Sequence, residues 1–238
     1  MNYRRYLPVS FQLSALVTLP WLVYMLGWQI LPVVMLLSVI YHWASFSMGG
    51  HMLISHGRTS RFLPDWIFYT IFFYTTYITP HFWASQHIQH HKHPDTDQDP
   101  LSPDTWGWRV LLAFYPEHLT DKRTMVRHLR SNKLSQFFVK HYLWLIALPV
   151  LVFFWVPTDL FLLFYAVPAS VSFSIATFSA YYSHCDGAPR EKMPEWANIL
   201  FSGESRYHKK HHENWKYCEP ATEFLLKSDF ESGRNSIV

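Results

Sequence analysis

The sequence predicts an all-α integral membrane protein: four transmembrane helices in two hairpins, with a cytoplasmic helical cap that holds a histidine-rich dimetal site. Three observations predict it. From Leu7 to Met48 there is no Asp, Glu, Lys or Arg, and between His141 and Ser183 the only such residue is Asp159. Eight of the fifteen histidines fall into three short clusters, His51 with His56, His87 with His90 and His91, and His208 with His211 and His212. Each cluster follows a long apolar stretch, so its imidazoles lie just beyond the hydrocarbon.

The elements follow in order. Two spans, about 7–28 and 30–48, turn near Gly27, Gln29 and Pro32, and each is long enough to cross a roughly 30 Å hydrocarbon core. The apolar stretch 66–79 is only fourteen residues long, which suits an interfacial helix better than a crossing. Parity agrees, because a crossing there would put the first and second histidine clusters on opposite sides of the membrane. A second hairpin covers about 141–156 and 160–183, broken by Pro157 and Asp159, and its first arm is short enough to need little tilt. All 238 residues form one domain.

Lys and Arg fix the orientation. All twenty lie in the N-terminal tail, in 58–140 or after Ser183, and the turns at 27–32 and 157–159 carry none. By the positive-inside rule those regions and both termini are cytoplasmic. Met1–Tyr6 is too short for the n-region of a cleaved signal. Cys185 and Cys218 then face a reducing compartment and are expected as thiols. The segment 102–135 carries Arg109, Lys122, Arg123, Arg127, Arg130 and Lys133, a basic connection suited to anionic headgroups or to an acidic carrier or thioester phosphates. A chain this apolar is not expected to bind nucleic acid.

The histidine spacings carry the chemistry. H-x-x-H-H places three rings on one helix face, and the chain has two copies. In H-x-x-x-x-H, five residues of α-helix rotate the second ring well away from the first. His51 and His56 therefore serve different metals or sit where the helix ends near Gly57. Imidazole suits Zn, Cu, Fe and Ni, and so many nitrogen ligands imply two ions. Asp95, Asp97 and Asp99 imitate the start of a calcium loop, but Pro100 stands where that loop needs Gly and Trp106 where it needs Glu. Asp95 and Asp99 are instead expected to orient ligand histidines. His42, His81, His93, His118, His128 and His141 lie off the pattern and are read as structural.

Residue by residue, the clusters resemble the membrane-bound fatty acyl desaturases, most closely the acyl-CoA Δ9 type. Gly49-Gly50-His51 through His56 looks like that family's first box. Trp83 through Lys92 resembles the second, with Thr96 and Asp99-Pro100 as its continuation, and His208 through His212 matches the third. The resemblance extends from the first hairpin to about Trp215 and implies that His184 is a further ligand, which makes nine. Two departures stand out: Ala180 replaces the Asn that those relatives carry four residues before the extra histidine, and 203–207 is one residue longer.

The resemblance implies two Fe ions, with Zn a possible substitute in purified protein, and O2 as co-substrate. It implies oxygen-dependent desaturation of a fatty acyl chain carried on CoA, on acyl carrier protein or on a lipid. Electrons come from a separate donor such as ferredoxin or cytochrome b5, since no cytochrome b5 domain is fused. Trp83, Trp106 and Trp108 are candidates for lining the acyl tunnel. The length and the missing electron domain favour a bacterial inner membrane. The same fold also supports hydroxylases and acetylenases. A membrane zinc protein or metal transporter is the rival of another class, and transporters place ionisable residues inside their spans, which this chain scarcely does.

Overall fold

The computed structural model describes residues 7–112, 117–184, 204–215, 217, 218 and 220–228, and the secondary structure in them is helical apart from one isolated bridge between Ser60 and Leu226. Helix α1, Leu7–Leu26, is the first arm of the first hairpin. Gly27 ends it at φ +84°, a conformation that costs glycine little. The Gln29 side chain donates to the Leu26 carbonyl at 2.6 Å, satisfying one of the carbonyls left open at the helix end.

Helix α2, Ile30–Ser55, is continuous and apolar for 26 residues, which is longer than the expected span 30–48. Its first part is α-helical and buries Ile30, Val34, Ser38 and His42 at four-residue intervals. From Trp43 to Ser55 the winding changes to π-helical. Gly49 and Gly50 make close packing possible there: a Cβ on Gly49 would lie 2.8 Å from the Phe68 carbonyl oxygen, and one on Gly50 would lie 2.7 Å from a Phe72 ring carbon.

Helix α3, Asp65–Thr76, packs on this stretch and buries Phe68, Tyr69, Phe72 and Phe73. It stops three residues short of the expected 66–79, because Tyr77 takes φ 55° and Thr79, preceding Pro80, is extended. Helix α4, Pro80–Lys92, starts there with proline in its first turn. A short helix α5, Pro103–Trp106, continues as a 3₁₀ turn over Gly107–Leu112. Helices α6, Lys122–Ser131, and α7, Lys133–Lys140, are joined by Asn132, whose side chain accepts from Ser135 N and caps α7.

Helix α8, Tyr142–Trp155, has no buried residue and meets α7 at 67°. Helix α9, Thr158–His184, is the second long apolar helix, 27 residues, with a π turn at Leu162–Ala166. Among the described residues, two helices are thus long and apolar enough to cross a membrane, and three if α7 and α8 form one broken span. Their outer surfaces suit lipid: Leu143, Trp144, Phe154 and Trp155 on α8 are each at least 74% exposed, a contiguous apolar surface that water does not favour. Helices α10, Glu204–Glu213, and α11, Pro220–Leu225, close the described chain. The main core, around Phe46, Met52, Phe72, Phe73, Trp83 and Phe173, reaches the histidines through Trp83, which stacks on His87.

Candidate metal centre

Four helix ends bring nine imidazoles together in two groups, His51, His56, His87, His91 and His211 in one, and His90, His184, His208 and His212 in the other. Within each group the ligand nitrogens lie within 4.8 Å of one another. In the first, Nε2 of His51 and His211 are 2.7 Å apart, His56 and His87 3.2 Å, His87 and His91 3.0 Å, and His211 is 3.1 Å from both His56 and His91. In the second, His184 and His208 are 2.6 Å apart and His208 and His212 2.9 Å. Two nitrogens bound side by side to one ion at about 2.1 Å would be separated by about 3 Å. The groups adjoin, since the rings of His91 and His212 stack at 4.5 Å.

The local winding explains this grouping. The rotation argument separates His51 from His56 only for an α-helix. Here the stretch is π-wound and His56 N donates to His51 O, five residues back, at 3.2 Å, so the two rings share one face. Gly57, at φ +65°, then turns the chain away. Each H-x-x-H-H motif also divides. Its first and last histidines, four apart, serve one group, and the middle histidine serves the other: His87 and His91 against His90, and His208 and His212 against His211.

Several ring orientations are fixed from behind. His90 Nδ1 donates to Asp99 Oδ2 at 2.9 Å, and His184 Nδ1 donates to Asp95 Oδ1 at 2.7 Å. His211 Nδ1 donates to the Tyr217 carbonyl at 2.8 Å. With the proton on Nδ1, Nε2 keeps its lone pair, the arrangement that metal-binding histidines use. Asp99 is fully buried and accepts from Leu101 N and Asp95 N as well. Burial raises its carboxyl to about 6, against the pull of those hydrogen bonds. Asp95 holds its place at φ 59°.

Burial first, and then crowding by neighbouring imidazoles, holds His87, His90, His211 and His212 well below the usual histidine range, with His211 near 2. They are therefore neutral at physiological pH, which is the form that binds metal. His90 Nε2 is buried without a hydrogen-bond partner among the described residues. A converging all-nitrogen set, with His87, His90, His211 and His212 held neutral and His90 Nε2 buried and open, fits a pair of transition-metal ions.

Of the three tryptophans, Trp83 stacks on His87 with ring centroids 6.0 Å apart, and its position is buried. Trp106 donates from Nε1 to the Asp99 carbonyl at 2.8 Å, bracing the acidic loop. Trp108 is 65% exposed and is not brought to the histidines. Ala180 lies one helical turn before His184 on α9. Cys218 donates its thiol hydrogen to Glu223, while Cys185, Gly203 and Trp196 lie outside the described residues.

Sequence reasoning missed three contacts. Trp215 stacks on His56 at 5.7 Å and 15°. The Tyr217 acceptor is a backbone carbonyl, which any residue type would supply. His128 contacts the Ile54 carbonyl and Ser135 Oγ through its two ring nitrogens, tying α6 and α7 to the end of α2.

Two long apolar helices and two short polar ones, whose ends bring two adjoining imidazole groups together, give a membrane protein with a histidine-rich candidate metal site. The chain belongs to the fatty acid desaturase family, whose model matches residues 26–215. It is similar to the sn-1 stearoyl-lipid 9-desaturase of Anabaena variabilis, 27% identical over 202 residues that cover 78% of this chain and 72% of that protein. No solved structure matches it.

Proposed function

We propose that the chain is an oxygen-dependent fatty acyl desaturase whose two histidine groups each hold one iron ion. The observation that carries this reading is the pair of adjoining all-nitrogen groups, joined through the His91 and His212 stack. His51, His56, His87, His91 and His211 would hold one ion, and His90, His184, His208 and His212 the other. Iron held there and reduced would activate dioxygen, which takes two hydrogens from adjacent carbons and, with two electrons and two protons from outside, leaves as two waters.

The chain's own residues do the rest. Asp99, Asp95 and the Tyr217 carbonyl keep the Nδ1 protons of three ligands in place. The buried aromatic floor of Phe46, Phe72, Trp83 and Phe173 excludes water below the site. An acyl chain would approach along this apolar side, with its polar head at the cytoplasmic face. Four crossings with both termini in the cytoplasm, in a bacterial inner membrane, place every cluster on that face. The relative that acts on a stearoyl-lipid favours a lipid-linked acyl substrate over CoA or acyl carrier protein, and a separate ferredoxin or cytochrome b5 would deliver electrons.

A second reading, hydroxylation on the same fold, is favoured by Ala180. A methyl group stands one turn from His184, beside the group with four nitrogens instead of five, so the surroundings of that ion differ from those the family resemblance implies. Mass spectrometry of acyl chains from cells making the intact protein or His90→Ala separates the readings. Loss of two hydrogens only with the intact protein supports desaturation, gain of one oxygen supports hydroxylation, and unchanged product from His90→Ala refutes both.

A further inference from the structure

The residues from Lys122 to Lys140, which form α6 and α7, contain six cations, Lys122, Arg123, Arg127, Arg130, Lys133 and Lys140, and no Asp or Glu. All six are exposed, and none forms an ion pair among the described residues. The fold has directed the apolar side of α6 inward: Thr124 is buried, Met125 and Leu129 are half-buried, and His128 holds the Ile54 carbonyl. Arg123, Val126, Arg127 and Arg130 are left on one outward face at three- and four-residue spacing.

What lies opposite that face follows from its attachment. One residue, Asn132, joins α6 to α7, and one residue, His141, joins α7 to α8. The surface of α8 is that of a helix in lipid, and the 67° bend turns α7 away from its axis. Along α7, Phe137 is exposed on the side of Lys133 and Lys140, four and three residues away, the mixture of apolar and cationic side chains that settles at a bilayer interface. Ten residues of α6 extend about 15 Å. A headgroup layer of about 5–7 Å and a screening length of about 8 Å beyond it reach most of that distance.

We infer that α6 and α7 form a binding platform for anionic phospholipid, with Arg123, Arg127 and Arg130 on headgroup phosphates and Phe137 at the acyl boundary. Guanidinium suits this task because its fork of donors pairs with phosphate oxygens two at a time. The platform packs through α6 on α4, the helix that carries His87, His90 and His91, so the lipid would brace the histidine helix from outside.

The test uses the full chain in nanodiscs of phosphatidylcholine, with or without phosphatidylglycerol as about a third of the lipid. The native cysteines are changed to Ser, and Val126→Cys carries a fluorophore that nitroxide-headgroup lipids quench. Quenching should be at least about twofold greater in the anionic discs, where the cationic face is held at the surface. It should fall with added salt, and Arg123→Gln, Arg127→Gln and Arg130→Gln together should abolish the difference. Equal quenching in both discs would overturn the inference, as would a difference that salt leaves unchanged. Capture of an acidic soluble protein by this face without any lipid preference would also overturn it and reassign the face to that partner. If the triple variant does not fold, the salt titration of the labelled protein with its arginines intact decides.

Discussion

At the residue scale, the centre depends on which ring nitrogen carries the proton. Asp99 matters because it is a buried carboxylate facing His90 Nδ1. Replacing it with Ala should lower metal affinity about 10- to 100-fold, read by competition with a chelator, while the helical circular dichroism stays intact. Unchanged affinity would remove Asp99 from the orienting role. The depressed histidines also set a pH dependence. In the unfolded chain their imidazoles bind protons below about 6.5, whereas in the fold His87, His90, His211 and His212 resist protonation. The unfolded state therefore binds more protons, and stability falls as pH falls from 7 towards 5. Asp99, raised to about 6, works the other way, but it is one group against four. The thermal midpoint of metal-free protein should be lower at pH 5 than at pH 7, and a flat profile would contradict this sign. Eight of the histidines were legible because their spacing is specific, and Asp95 and Asp99 because they follow the second cluster closely, whereas His184 was reached only through the family resemblance. Tyr217 was not legible, because a carbonyl acceptor belongs to the backbone and leaves no mark in the sequence. Nor was Trp215, whose stacking on His56 depends on where α10 ends.

At the scale of elements, the π-wound end of α2 is the feature that the sequence concealed. Spacing of five reads as a misfit on an α-helix, and nothing in Trp43–Ser55 announces a change of winding except the Gly49-Gly50 pair. Those glycines test the packing that accompanies it. A methyl on Gly49 meets the Phe68 backbone oxygen, while one on Gly50 meets the edge of the Phe72 ring, which can turn. Both substitutions to Ala should destabilise, by about 1–3 kcal/mol, with Gly49→Ala the worse of the two in thermal unfolding. The reverse order would mean that α3 shifts more easily than its aromatic rings. The long apolar helices were readable from the lack of charge. Their ends were read less well: α2 runs past Met48 to Ser55, and α3 stops at Thr76, where the αL turn at Tyr77 overrides the apolar pattern.

At the scale of the whole molecule, α2, α4, α9 and α10 meet at one point, and the centre exists only where they do. Each H-x-x-H-H motif feeds both groups, a division that spacing on a single helix does not reveal because it depends on how two helices face each other. The division can be tested one group at a time: His87→Ala takes a nitrogen from the five-nitrogen group and His90→Ala one from the four-nitrogen group, yet both leave α4 holding the other group. Each variant should keep one metal more tightly than the other, and loss of both ions in step would mean that the groups bind as a unit. The central claim, that this chain holds two ions in its two imidazole groups, is tested most directly by the metal-to-protein ratio of active, purified protein measured by elemental mass spectrometry. The account predicts two irons per chain, and active protein that holds one metal or none would contradict it.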